Sequence, residues 1–355
     1  MKNKILIILF CCYIFGFGLF SLVDTDKEIS FTERRKLDKV PKFELTNKYV
    51  DKLDSYLVDQ FPLRDEYRGV KASYNYYVLN MLVNNNIYID NNYIFKSEYP
   101  TNEKSIDNFI KHINTTKDKF NKKNNVYMMV IPDKNYYLDS DDFLNIDYDY
   151  IYDKVNGIDG VTNIDLRDVL TLNDYYETDT HWKQEKLDKV VNKLVTDMGY
   201  EYKDIEYDVN TFDKFYGVYY GESAINRSPE KLSYLTNEEI DNVTVKYLEN
   251  DKFNKVYNVD KLTGMDAYDV YLDGASAFIE INNKNSKSKK ELVIFRDSFG
   301  SSITPLLIPY YKKITIIDNR YINSDYYLEY IDFKKQDVLF IYSTLIVNNS
   351  YTLKN

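Results

Sequence analysis

Leu292-Val293-Ile294-Phe295-Arg296-Asp297-Ser298-Phe299-Gly300-Ser301-Ser302 is the stretch that decides how this chain folds. Four apolar residues run without a break, a short polar turn carries a serine, and a helix is expected from Ser302. A brief apolar run bounded by turn residues reads as a strand buried on both faces, as in a parallel sheet. A serine at such a strand-to-helix turn exposes its hydroxyl at the C-terminal edge of the sheet. There the N–H groups that open the helix can hold an oxyanion. The plainer alternative is a helix cap by Ser298, Ser301 or Ser302. The stretch is not a G-x-S-x-G elbow.

The same kind of run recurs on either side. Val126-Tyr127-Met128-Met129-Val130-Ile131 ends at Pro132, 161–166 is a second candidate, and Ile314-Thr315-Ile316-Ile317 and Val338-Leu339-Phe340-Ile341-Tyr342 follow. Helical spacing separates them, with Ile106, Phe109, Ile110 and Ile113 on one face of 102–120. Leu187, Val190, Val191, Leu194 and Val195 do the same over 185–198. Further upstream, 46–84 shows helical spacing (Tyr49, Leu53, Tyr56, Leu57) that breaks near Pro62 and resumes over 66–82, before strand-like pieces at 87–95. Strands alternating with helices predict an α/β domain over 46–355: a parallel, flavodoxin-like sheet with helices on both faces. Gly-, Tyr- and Asn-rich strand-like pieces over 200–290 interrupt the rhythm and read as a strand-rich insertion.

Lys2 and Lys4 precede 19 uncharged residues over 5–23, and Asp24, Asp26 and Glu28 follow. About 28 Å of helix at roughly 1.5 Å per residue can span a hydrocarbon core. The charge bias places the N-terminus in the cytoplasm and the rest of the chain outside. A cleaved signal peptide competes, but no small-x-small cleavage site closes the run, so 1–23 is read as a retained anchor. Polar residues 24–45, with Pro41, read as a stalk. Cys11 and Cys12 lie inside the anchor, so the exported part carries no disulfide. The formal charge of -10 argues against nucleic acid and anionic membrane surfaces as partners. The 37 tyrosines read as compositional bias, although a Tyr-dense surface could bind sugars.

Of the two histidines, His112 falls among Lys and Asn in a helix and reads as an ordinary helix residue. His181 stands in Glu177-Thr178-Asp179-Thr180-His181-Trp182, beside the sole tryptophan. An Asp two residues before a His can hold one imidazole nitrogen and leave the other free as a base. The competing role for Asp179 is capping the next helix. An acid–His unit at one strand end and a serine at another are the parts of a Ser–His–Asp triad, here in the order Asp, His, Ser. No metal set is apparent and no cofactor is called for. Asp139, Asp141 and Asp142 fail as a calcium loop, because Leu144 stands where the tight-turn Gly belongs and Tyr150 where the bidentate Glu belongs.

Asp179-Thr180-His181-Trp182 and Asp297-Ser298-Phe299 together resemble the DHHW family of clostridial surface proteins. More distantly they resemble the AlgX and AlgJ type of alginate O-acetyltransferase, with its SGNH-hydrolase-like domain. Phe31-Thr32-Glu33-Arg34-Arg35-Lys36-Leu37, Asp59-Gln60-Phe61-Pro62-Leu63-Arg64 and Val130-Ile131-Pro132-Asp133-Lys134 resemble further family blocks, so the likeness runs from about 30 to 345. Thr180 departs where a second His is usual, and Arg296 where Gly or Lys is. The resemblance implies Ser298 as nucleophile, His181 as general base and Asp179 as its orienting carboxylate. It also implies Arg320 as a sugar or oxyanion contact, with Tyr342 and Trp182 at the site. It further implies acetyl transfer to a cell-surface polysaccharide, with a membrane-bound O-acyltransferase as partner. The same residues serve a polysaccharide O-acetylesterase, and a catalytically silent glycan-binding or assembly protein is the third reading.

Overall fold

The computed structural model describes residues 2–84, 86–138 and 142–354. The chain forms two compact units: residues up to 87 together with 218–228, and 88–217 together with 229–355.

The first unit opens with helix α1 (Lys2–Val23). Its stretch Lys4–Ser21 has a mean hydropathy of 2.2 and is long and apolar enough to cross a membrane by length and composition. A short antiparallel hairpin follows, β1 (Ile29–Ser30) and β2 (Arg35–Lys36), then α2 (Asn47–Asp59) and α3 (Arg64–Ser73). Pro62 separates these two helices as the sequence predicts, because proline disfavours the helical conformation of the residue before it. A π-helical turn, Tyr74–Val78, extends α3. The polar run 24–45, expected as a stalk, is tied to these helices. The Gln60 side chain accepts from the Lys27 N–H (2.9 Å) and donates to the Lys27 and Asp38 carbonyls (3.0 Å each). Arg35 grips both oxygens of the buried Asp59 carboxylate, at 2.8 and 2.5 Å.

In the second unit, β3 (Ile87–Asp90) and β4 (Tyr93–Lys96) form a hairpin, followed by α4 (Glu103–Lys117), β5 (Val126–Ile131), α5 (Tyr148–Asn156), β6 (Thr162–Asn163), α6 (Asp188–Asp197) and β7 (Asp208–Phe215). The chain passes through α7 (Val218–Ser223) of the first unit and returns as β8 (Glu230–Thr236), which pairs with β7, then α8 (Glu238–Asp241), β9 (Thr244–Tyr247) and β10 (Phe278–Asn282). The rest is β11 (Glu291–Arg296), α9 (Phe299–Leu307), β12 (Lys313–Ile317), α10 (Ser324–Tyr327), β13 (Asp337–Ser343) and α11 (Thr344–Asn348).

Among the described residues the main sheet has seven strands in the order β6-β5-β13-β11-β12-β10-β9. The five from β6 to β12 are parallel, whereas β10 and β9 add antiparallel. The 200–290 segment is therefore not wholly an insertion: two of its strands extend the sheet, and β7–β8 stand apart as a hairpin. Counted from β11, the parallel strands run β11, β12, β13, then β5 and β6, and their spatial order is 2-1-3-4-5. That is the flavodoxin order with the chain entering at the fourth strand. This rotation explains why the Asp–His segment, after β6, precedes the serine after β11. It also puts Ser298 at the switch point between β11 and β13, where ligands bind in sheets of this kind.

Alternation along the strands builds two cores. Leu292 and Ile294 face one side with Met129, Ile131, Leu339, Ile341, Ile314 and Ile316, against α6 and α9. Val293 and Phe295 face the other with Met128, Val130, Val338 and Phe340, against α4 and α5. With both faces covered, every residue of β13 is buried, which is why these strands read as unbroken apolar runs.

Candidate active site

Ser298 caps α9 directly after β11, with φ -63° and ψ -25°. This is ordinary right-handed backbone, unlike the strained elbow of α/β-hydrolases. Asp297 fixes the turn. Its N–H donates to Ile341 O (3.1 Å), its Oδ1 accepts from the Phe299 N–H (3.0 Å), and its Oδ2 accepts from the N–H and hydroxyl of Ser343, both at 2.7 Å. The ends of β11 and β13 are thereby clamped together. The N–H groups of Gly300 and Ser301 are taken by the Asp297 and Ser298 carbonyls. The Ser298 N–H has no acceptor among the described residues, and Ser298 stands at the N-terminus of α9.

His181 arrives from a loop closed like a hairpin. Tyr175 bridges Trp182, the Tyr176 N–H donates to His181 O (3.1 Å), and the Lys183 N–H donates to Asp174 O (2.7 Å). Asp179 Oδ1 accepts from both the His181 N–H (3.0 Å) and His181 Nδ1 (2.6 Å). The carboxylate is spent on the imidazole rather than on a helix cap. With Nδ1 donating, the Nε2 lone pair is left for the Ser298 hydroxyl, whose Oγ lies 2.7 Å away. Asp179 is fully buried and His181 nearly so, while Ser298 is partly exposed, so the chain of bonds ends at solvent on the serine alone.

Two supports escaped the sequence. Tyr268, from the 200–290 segment, stacks on the His181 ring (centroids 3.8 Å, planes 10° apart) and bonds Ser302 Oγ at 2.8 Å. Lys134, just past β5, is buried, and its Nζ donates to the carbonyls of Tyr176 (3.1 Å), Glu177 (3.1 Å) and Asp179 (2.8 Å). Burial pushes its ammonium down to about 7 against the pull of Asp179 and Glu230. Glu230 holds the same loop by accepting from the N–H groups of Glu177 and Thr178 (2.7 Å each) and from the Thr178 hydroxyl. Gly217 backs it so closely that a Cβ there would lie 2.1 Å from Thr178 O.

Of the remaining expected site residues, Trp182 is fully buried and donates from Nε1 to Ser302 Oγ (2.8 Å), so it braces α9. Tyr342 is also fully buried, edge-on to Phe109 (5.5 Å), because its position in β13 faces the α4 side. It is core and not an accessible wall. Arg320 pairs through two bonds with Asp318 (2.9 and 2.7 Å) at the end of β12, and its described contacts do not include the triad. Arg296, one of the two sequence departures, is buried on Gly274 O (3.1 Å) and faces Asp318 (3.5 Å). His112 is a buried residue of α4. Asp139 and Asp141 lie outside the described residues.

No family model matches the sequence, and no curated protein is significantly similar to it. Solved structures are. A DHHW family protein from Eubacterium siraeum superposes with a TM-score of 0.64 at 20% identity, covering 77% of this chain and 97% of that one. The fold is that of a DHHW family protein. Bacillus cereus PatB1, in a structure with a sulfonyl adduct, gives a TM-score of 0.61 at 22% identity over 75% of this chain and 97% of its own. The O-acetyltransferase domain of Pseudomonas putida AlgJ is a weaker likeness, with a TM-score of 0.45 at 10% identity over 74% and 92%.

Proposed function

We propose that this protein is an extracytoplasmic serine acyltransferase that moves acetyl groups onto a cell-surface polysaccharide. The observation that carries the reading is the unbroken chain Asp179 Oδ1, His181 Nδ1, His181 Nε2, Ser298 Oγ, with links of 2.6 and 2.7 Å. Ser298 Oγ attacks the carbonyl carbon of an acetyl ester and its proton passes to Nε2. Asp179 steadies the imidazolium, and the oxyanion meets the Ser298 N–H at the head of α9. The departing alcohol takes the proton from Nε2, leaving acetyl on Ser298. A sugar hydroxyl then gives its proton to Nε2 and takes the acetyl group, and the departing Ser298 Oγ recovers that proton from Nε2. No metal or cofactor is needed in these steps.

The family resemblance of the motifs supports transfer over hydrolysis, which uses the same residues with water as acceptor. The apolar α1 supports a single-pass protein anchored in the cell membrane with its C-terminal part outside, and a membrane-bound O-acyltransferase is the partner that would deliver acetyl groups there. A silent glycan-binding role is less well supported, since the departures at Thr180 and Arg296 leave all three triad contacts intact. Labelling tests the enzyme reading. A sulfonyl fluoride or fluorophosphonate should modify Ser298 in the wild type and nothing in Ser298→Ala; an unlabelled wild type that also turns over no acetyl ester would refute it.

A further inference from the structure

Helix α3 is built inside out. Its arginines turn inward: Arg64 Nη1 lies 2.6 Å from Glu33 Oε2, and Arg68 Nη2 donates to Gly221 O at 3.0 Å. Its apolar residues turn outward. Tyr67, Val70 and Tyr74 follow one another at spacings of three and four, the stripe of one helical face, and are exposed, as are Leu63 just before the helix and Tyr77 in the π-helical turn. Val70 is 68% exposed and Tyr77 66%, against 16% for the Arg64 side chain. The stripe runs on through Val78, Leu79 and Leu82, and Val50, Leu57 and Val58 of α2 are exposed as well. A helix on a water-facing surface shows the opposite pattern. An apolar face this extended marks contact with another apolar medium.

The start of the stripe lies against the apolar helix α1. Phe61 stacks on Phe17 of α1 (centroids 5.9 Å, planes 3° apart), and Tyr67 meets the same ring edge-on at 5.9 Å. Phe17 lies six residues before Val23, where the uncharged run ends, about 9 Å along the axis at roughly 1.5 Å per residue. A side chain touching it sits at the depth of the outer boundary of any bilayer that α1 crosses. Tyr67, Tyr74 and Tyr77 suit that depth, because tyrosine rings concentrate where acyl chains meet headgroups.

We propose that the apolar face of α3 and its π-helical extension lies in the outer boundary of the bilayer crossed by α1, making the first unit a membrane-seated platform and not a flexible tether. This rests on α1 being a retained anchor. Lys71, Asp65 and Glu66 give the exposed flanks of α3 mixed charge, so apolar burial drives the seating and anionic lipid is not required.

The full chain, reconstituted into phosphatidylcholine vesicles, tests this with tryptophan variants and brominated lipid. Trp182 is buried, so the wild type supplies the baseline. Leu9→Trp reports the anchor and should be quenched by bromines deep in the acyl chains. Val70→Trp, at a site exposed enough to leave folding intact, should lose most of its added emission to bromines near the glycerol end, at low and high salt alike. A quenched Leu9→Trp beside a Val70→Trp whose emission is equal in brominated and plain lipid would overturn the seating while leaving the anchor. Loss of quenching at both positions would overturn both. Cross-linking of position 70 to a second copy in the vesicles would overturn it in favour of a protein interface.

Discussion

Replacing Lys134 with methionine tests how the Asp179 loop is held. Moving the ammonium from its ordinary 10.5 to about 7 corresponds to a net cost of about 5 kcal/mol for the charged form, its favourable contacts included, at about 1.4 kcal/mol per unit. Methionine removes that net cost. Glu177 O keeps the Ile94 N–H at 2.8 Å, whereas the Tyr176 and Asp179 carbonyls lose the Lys134 donor at about 1–3 kcal/mol each. The terms nearly cancel, so global stability should change by no more than about 3 kcal/mol. The loop, however, loses the post that sets Asp179 against His181, and misplacement on the ångström scale costs on the order of 10²-fold in rate. Denaturant unfolding and the rate of Ser298 labelling read the two effects separately. The pH dependence has a defined sign. Between about 7 and 10.5 the unfolded chain holds a proton on Lys134 that the native protein has released, so the wild type should gain stability relative to Lys134→Met as pH rises through that window. Below it the difference should be flat. A variant that labels Ser298 at the wild-type rate would refute the positioning role.

Asp179→Asn should leave the fold intact and lower acyl transfer by about 10⁴-fold, because an amide cannot stabilise the imidazolium or enforce the same tautomer; steady-state kinetics on an acetyl ester read this. Tyr268→Leu removes the ring stacked on His181 and should lower kcat, since an aromatic face favours the imidazolium by about 0.5–1 kcal/mol. Tyr268→Phe keeps the stack and should retain kcat while losing the bond to Ser302. Gly217→Ala should reduce activity more than any exposed Gly→Ala change, because its methyl meets the Thr178 carbonyl at 2.1 Å and pushes the Asp179 loop away.

The strands that carry the site were legible because burial on both faces leaves no alternation to hide them: β5, β11, β12 and β13 fall where the apolar runs lie. β10 was not, since its Glu280 and Asn282 break the run at the antiparallel side of the sheet. The rotated strand order was equally hidden, because pairing partners such as β13 and β5 are set by tertiary packing and not by local sequence. Asp179 and His181 were readable as a local spacing, but the contact with Ser298 spans 117 residues and needed the family motifs to suggest it. Lys134 stood in a family-like block with no role attached, and Tyr268 was one tyrosine among 37. Trp182 and Tyr342 were correctly placed beside strand ends and loops, yet their side chains turn into the cores. A ring large enough to line a site is equally suited to fill the space under it.

In the proposed reaction Ser298 Oγ is the atom that takes the acetyl group. Mass spectrometry of the full chain, quenched rapidly after mixing with an acetyl ester and no sugar acceptor, should find one added acetyl group on the peptide carrying Ser298. The adduct should be absent from Ser298→Ala and should disappear when the polysaccharide acceptor is added. Acetyl transfer to the acceptor at an undiminished rate by Ser298→Ala would contradict it.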